Sequence, residues 1–270
     1  MKTLRTVAEL RAHLAALKNV RTIGLVPTMG ALHEGHVALF RAARRRCDHV
    51  VATIFINQRQ FNDPADFVAY PRQEARDLEL ASRAAVDVTF VPLADEIYPP
   101  SDATSVAVEG AATGFEGGFR PGHFNSVATV CLKLFNIVRP HVAFFGQKDA
   151  QQLAVVRQMV RDLRLDLRIE VVPTVREPDG LALSSRNVRL SAAERVRALA
   201  IPQALAAGLA AHRAGRDAAA AAREELQGLE VDYVEVARFE DHPTLVIAAR
   251  VGRTRLIDNV PLDDPALAGF

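Results

Sequence analysis

The chain is 270 residues long, with 33 basic and 32 acidic side chains and 49% hydrophobic residues. That balance leaves no strong net field, which argues against a general nucleic-acid or membrane-surface protein. The length is ample for a sizeable core, in one large domain or two modest ones. No run approaches the ~18 consecutive apolar residues of a membrane span. The opening stretch MKTLRTVAELRAHLAALKN sets charges between apolar residues at helical spacing, unlike a signal peptide. Cys47 and Cys131 stand far apart in no CxxC pattern and read as reduced, small core residues. The cytoplasm is the expected compartment.

Through the first two-thirds of the chain, short β-branched runs alternate with helical patterns. Residues 20–26, 50–56, 87–91, 142–145 and 167–172 read as strands, and 37–46, 73–84, 126–138 and 149–162 as helices. This alternation implies a doubly wound, Rossmann-like α/β fold with a parallel sheet, whose ligands bind beyond the carboxyl ends of the strands. The pattern changes over residues 173–186. Helical stretches follow at 192–211 and 217–227, the Ala-rich part of which reads as surface helix and turn. Three strand-like runs, 231–237, 245–251 and 253–257, suggest a small antiparallel sheet. A division near Thr174 is expected, giving a 1–174 domain and a smaller α+β domain over 175–270, with the substrate cleft between them.

The most informative segment is PTMGALHEGH, residues 27–36, a glycine-bearing turn between a strand and a helix. A helix N-terminus offers unpaired N–H groups and the positive end of its dipole, which together attract phosphate. Gly30 and Gly35 allow close backbone approach, and His33 and His36 can both donate to phosphate oxygens. A zinc site is the competing reading of two close histidines, but no third ligand sits at a zinc-like spacing. Downstream, FINQRQF (55–61) brings Asn57 and Gln60 off a strand's carboxyl end as neutral hydrogen-bonding amides. GFRPGHF (118–124) carries Arg120 and His123 just before a helix, where Arg120 suits either an anion or a structural ion pair. GQKDAQQ (146–152) offers a turn at Gly146, a point charge at Lys148, and a carboxylate at Asp149 for a ribose hydroxyl or a helix cap. Its Gln151 and Gln152 amides suit a polar substrate. LALSSRN (181–187) combines Ser184, Ser185, Arg186 and Asn187 in a segment able to close over phosphates.

Taken together, these segments resemble the pantoate–β-alanine ligase family of the HxGH nucleotidyltransferase superfamily. The resemblance spans nearly the whole chain. It extends to YPR (70–72), KLFNIVRPHVAFFGQKDAQQLAVV (133–156), REPDGLALSSRN (176–187) and GRTRLIDN (252–259). It implies a cytoplasmic, homodimeric enzyme with a Rossmann-type domain binding ATP and pantoate and a C-terminal lid domain. The implied reaction joins pantoate to β-alanine through a pantoyl adenylate, with AMP and pyrophosphate as products and magnesium on the phosphates. Matching positions would place His33, His36 and Lys148 on the ATP phosphates as the catalytic set, with Met29 beside the nucleotide. Gly146 and Asp149 would hold the adenosine, and Ser184, Ser185 and Arg186 would close over the phosphates. Gln60 and Gln152 would grip pantoate, with Asn57 and Arg120 as further candidates.

The chain departs from the family pattern at three places. Gln58 stands where proline is usual, Asn125 and Ser126 replace the usual pair after FRPGHF, and Arg76 and Leu80 interrupt the acidic run after YPR. Asp77 remains as the one candidate protein ligand for magnesium. The alternative function is another adenylyl- or cytidylyltransferase sharing HxGH, against which the glutamines and the LSSRN and LIDN stretches weigh. No nucleic-acid or membrane partner is expected.

Overall fold

The computed structural model describes residues 1–17, 21–240 and 242–269. Lys18 and Asn19 of the expected N-terminal helical pattern, and Val20 of the first expected strand, lie outside the described residues. The chain resolves into two units. One comprises Met1–Phe145 with Gln151–Val172, the other Gly146–Ala150 with Pro173–Phe270.

The first unit is built on a six-stranded parallel sheet: β1 (Lys2–Leu4), β2 (Ile23–Thr28), β3 (His49–Ile54), β4 (Val88–Phe90), β5 (Val142–Gly146) and β6 (Arg168–Val172). Their spatial order is β1-β4-β3-β2-β5-β6. The connections run through α1 (Val7–Ala15), α2 (Glu34–Arg46), α3 (Pro64–Val68), α4 (Glu74–Arg83), α5 (Ala94–Ile97), α6 (Phe115–Phe119), α7 (His123–Val138) and α8 (Ala150–Asp162). The central strands read as nearly unbroken apolar runs because helices cover both faces. Order reverses between β2 and β5, so the crevice of a doubly wound sheet falls beyond their carboxyl ends. β1 was not foreseen. Thr6 and Glu9 form a capping box that starts α1 only at Val7, which frees residues 2–4 to pair with β4.

The second unit packs α9 (Ala192–Ala198), α10 (Ala200–Arg213) and α11 (Ala218–Glu225) with an antiparallel sheet of β7 (Glu230–Phe239), β8 (His242–Val251) and β9 (Thr254–Pro261). The single helix expected over 192–211 is broken at Leu199, and Pro202 sits in the first turn of α10, where its missing N–H does no harm. The Ala-rich stretch is helix and turn as expected, with residues 212–217 exposed, but one face of it is core and not surface. Ala204, Leu205, Ala211, Ala218 and Ala222 are buried. Small side chains let α10 lie close to α11 and β8. A Cβ on Gly208 would stand 2.8 Å from the Ala218 carbonyl oxygen and 2.3 Å from Leu245 Cδ2. Both cysteines are buried and free. Among the described residues no helix is long and apolar enough to cross a membrane.

Candidate active site

The turn after β2 is held in an unusual shape. Gly30 and Ala31 are both left-handed, with φ of 79° and 51°. Glycine adopts this region freely, whereas alanine does so at a cost that surrounding contacts must offset. The contacts come from Asp77 on α4, 2% exposed. Its Oδ2 accepts from the Ala31 N–H at 2.9 Å and its Oδ1 from the Leu32 N–H at 2.8 Å. Gly30 N–H donates to Thr28 Oγ1 at 3.2 Å, and the Thr28 hydroxyl donates in turn to the Thr53 carbonyl. A Cβ on Gly30 would meet Asp77 Oδ2 at 2.9 Å. Burial raises the Asp77 pKa above the usual aspartate range, and the two backbone N–H donors pull the other way without cancelling it. Both of its oxygens accept from the turn, so Asp77 acts as a clamp on the backbone. Among the described residues no group of three or more His, Cys, Asp or Glu side chains could hold a metal ion.

The turn delivers the chain to α2, whose first residues form a reciprocal cap made of two imidazoles. His33 is the N-cap, and its Nδ1 accepts from the Gly35 N–H at 3.2 Å. His36 Nδ1 accepts from the His33 N–H, also at 3.2 Å. The rings lie 4.1 Å apart between centroids, tilted by 47°. A ring nitrogen that accepts a backbone N–H carries no proton, so each neutral imidazole bears its proton on Nε2. The sequence therefore fixes the tautomer of both histidines through the start of the helix. Two Nε2–H donors at the positive end of a 13-residue helix form an anion-binding arrangement.

Beyond β3, residues 58–60 make a short 3-10 turn that follows Asn57, 1% exposed. Asn57 Nδ2 donates to Gln60 Oε1 at 3.1 Å and to the Ser126 carbonyl at 3.3 Å, while Gln60 Nε2 donates to Met29 Sδ at 2.9 Å. The Gln60 carbonyl accepts from Arg120 Nη2 at 3.2 Å and lies 2.9 Å from His123 Nδ1. Met29, Asn57, Gln60 and Arg120, chosen from three segments, thus meet in one network. Arg120 serves the backbone here and also stands 3.9 Å from Glu116 Oε2. At the Asn125–Ser126 departure, Ser126 Oγ adds a further bond to the same turn, donating to the Arg59 carbonyl. Gln152 is half-buried in the first turn of α8. Its neighbour Gln151 is buried and turned inward, donating to the Ala111, Thr113 and Gly114 carbonyls and accepting from the Glu116 N–H. That amide is occupied by the fold, contrary to the substrate role the sequence suggested for it.

In the second unit, residues 147–149 form a 3-10 turn after Gly146, with Lys148 Nζ 3.8 Å from Asp149 Oδ1. Asn259 on β9 donates through Nδ2 to the Gln147 and Lys148 carbonyls at 3.0 and 2.9 Å, and its Oδ1 accepts from Gln147 Nε2 at 2.9 Å. Ser184, Ser185 and Arg186 are half-buried in a loop tied down by Asn187. The Asn187 amide donates to Glu177 Oε1 and to the Ala182 carbonyl, and Arg186 N–H donates to Ser184 Oγ. Arg195 bridges Glu177 and Asp179, which holds the Glu177 carboxyl below its ordinary range and raises the Arg195 guanidinium. The supports supplied by Asp77, His123, Asn187 and Asn259 escaped assignment from sequence. Asn187 and Asn259 lie in segments singled out as motifs, REPDGLALSSRN and GRTRLIDN, but nothing local said what they hold.

The pantoate-beta-alanine ligase family model matches residues 2–261. A pantothenate synthetase of Cereibacter sphaeroides is 50% identical over 275 residues, covering 96% of this chain and 99% of the relative. The corresponding protein of Paracoccus denitrificans is 47% identical over 272 residues, covering 95% and 96%. Among solved structures, pantothenate synthetase from Thermus thermophilus superposes with a TM-score of 0.92 at 44% identity, covering 97% of this chain and 99% of that one. A pantoate-beta-alanine ligase from Francisella tularensis, complexed with beta-gamma ATP and beta-alanine, gives a TM-score of 0.83 at 32% identity, covering 97% and 98%.

Proposed function

Since the chain belongs to the pantoate-beta-alanine ligase family and joins pantoate to β-alanine in an ATP-dependent reaction, we propose that it works through a pantoyl adenylate. A carboxylate is a poor acyl donor because its leaving group would be oxide. In the first step a pantoate carboxylate oxygen attacks the α-phosphorus, forming a new O–P bond while the α–β bridging bond breaks and pyrophosphate leaves. In the second, the free amine of β-alanine attacks the acyl carbon, AMP departs with the bonding pair, and the nitrogen releases its proton. No covalent enzyme nucleophile enters, so the protein's part is alignment and charge stabilisation.

The observation that carries this reading is the double-histidine cap. The two Nδ1 contacts hold both imidazoles at the start of α2, where the positive end of the helix dipole favours charge on phosphate oxygens. We assign His33, His36 and Lys148 to the triphosphate, Met29, Gly146 and Asp149 to the nucleoside, and Ser184, Ser185 and Arg186 to the closing loop. Gln60 and Gln152 are assigned to pantoate. Asn57 and Arg120 support Gln60, a role favoured by their bonds to its side chain and carbonyl. Residues 1–174 would thus carry the ATP and pantoate contacts, with 175–270 as a lid. The ATP and β-alanine complex of the Francisella relative supports sites for both ligands. Magnesium is assigned to the ATP phosphates, entering as part of the substrate, as the family resemblance implies. The homodimer and the cytoplasmic location rest on the family resemblance.

The test is positional isotope exchange in ATP, which should require pantoate alone. Exchange that also needs β-alanine would replace the adenylate with a concerted route. A non-hydrolysable pantoyl-adenylate mimic should bind far more tightly than either substrate, because it spans both subsites.

A further inference from the structure

Lys148 sits in the middle of a three-residue 3-10 turn that has no side-chain cap of its own. Such turns are short and poorly hydrogen-bonded, so by themselves they fix a side chain loosely. Here the turn is held from outside by the side-chain amide of Asn259. Both N–H groups of Asn259 are used, on the Gln147 and Lys148 carbonyls, and its oxygen takes the Gln147 side-chain N–H. Asn259 is 2% exposed and Gln147 5%, so water does not compete for these bonds. The chemistry demands an amide. Aspartate would set a carboxylate against two carbonyl oxygens, and an apolar side chain would leave buried acceptors and a buried donor unmet.

Asn259 is itself held. Successive strand residues point to opposite faces, and on β9 both of these are buried: Asn259 faces the Lys148 turn and Asp258 the loop that starts at Arg176. Asp258, 3% exposed, takes a two-pronged contact from Arg176, at 2.7 Å to Oδ2 and 3.2 Å to Oδ1. Asp258 Oδ1 also accepts the Asn259 backbone N–H at 2.8 Å. Arg176 further donates to the Ala268 and Gly180 carbonyls, so its fork is anchored on the loop that leads into Ser184, Ser185 and Arg186.

We infer that Asn259 is a positioning residue for Lys148, and that the Arg176–Asp258 pair sets the strand register from which it acts. The REPDG and LIDN segments then form one frame, which aligns the lysine and the serine–arginine loop as a unit. The inference rests on the assignment of Lys148 to the ATP phosphates.

The experiment is steady-state kinetics on Asn259→Asp, Asn259→Ala, Lys148→Ala and the Asn259→Ala/Lys148→Ala pair. Misplacing a charged group by about an ångström costs on the order of a hundredfold. Asn259→Asp should therefore lower kcat by roughly tenfold to a hundredfold, with the pantoate KM moved less than about twofold. In the Lys148→Ala background, Asn259→Ala should add less than about twofold, because the residue it positions is gone. Where Asn259→Ala does not fold, Gln147→Leu keeps the volume, removes one of the three bonds, and should shift kcat the same way by less. Full kcat in Asn259→Asp, or losses that multiply in the pair, would overturn the inference. Near-normal turnover in Lys148→Ala would instead overturn the assignment of the lysine itself.

Discussion

Removing the Asp77 side chain is the sharpest test of how the turn proposed to bind phosphate is built. In Asp77→Ala the Ala31 and Leu32 N–H groups lose the carboxylate that now stands 2.9 and 2.8 Å away. Each buried donor left unmet costs about 1–3 kcal/mol. Deleting a carboxylate whose ionised form is disfavoured by burial returns part of that sum, leaving a net loss of roughly 2–4 kcal/mol. For a chain of this size that corresponds to a fall in Tm of roughly 4–16 °C. Activity should suffer more than stability requires. The turn aims the His33–His36 cap, so kcat/KM for ATP should drop by about tenfold to a hundredfold while the pantoate KM stays nearly constant. Differential scanning calorimetry and paired titrations of ATP and pantoate read these outcomes. A variant that melts and turns over like the parent would refute the clamp.

The pH dependence separates the charge of Asp77 from its shape. The folded pKa lies above the unfolded one because burial disfavours the carboxylate. The stability tied to this group is therefore fully present below the ordinary aspartate range and is lost as pH rises through the raised folded value. Asp77→Asn has no such titration, and its amide accepts one N–H well but turns a donor toward the other, a loss of about 1–3 kcal/mol. The Tm of the parent should thus fall relative to that of Asp77→Asn as pH climbs through that window. A relative rise would mean that the two N–H bonds outweigh the cost of burial.

His36→Ala should cut turnover by roughly 10²–10³ with the fold retained, losing only about 1 kcal/mol for the cap; single-turnover pyrophosphate release measures it. Gln60→Ala and Gln152→Ala should weaken pantoate use tenfold or more, about 1.4 kcal/mol per tenfold, while ATP binding holds. Equal losses for both ligands in calorimetric titration would misplace the pantoate pocket. Arg195→Ala frees Glu177 and Asp179, so kcat should fall severalfold as the 184–186 loop loosens. Because the folded Glu177 pKa is depressed, its share of stability is present above the unfolded value and fades as pH falls through the folded one. Melting curves of the parent and Arg195→Ala should therefore converge in acid. Gln58→Pro should stabilise by about 0.4–1 kcal/mol without loss of activity, since Asn57 is already extended, as a residue before proline must be; urea unfolding checks it.

What was legible in the sequence was whatever is decided within a few residues. The PTMGALHEGH turn announces itself through glycine, a strand before it and an amphipathic helix after it, and the strand–helix alternation leaves few topologies open. The supports of the site are a different kind of information. Asp77 reaches back 45 residues to Leu32, and Asn259 reaches 112 back to Gln147. No periodicity links such pairs, because each residue simply sits at its own local place on a helix or strand. The Ala-rich stretch failed for the related reason that size carries no sign of direction. Small side chains look the same in sequence whether they face water or let two helices touch, and only the approach of Ala218 and Leu245 to Gly208 decides between them. The groups proposed to meet substrate lie inside the motifs that carry the family resemblance, and it was the resemblance, together with side-chain types that suit phosphate and carboxylate, that picked them out. The groups that aim them answer to geometry as well as type, and the acceptor or amide needed could have come from any element within reach, so they become visible only when the backbone is in place.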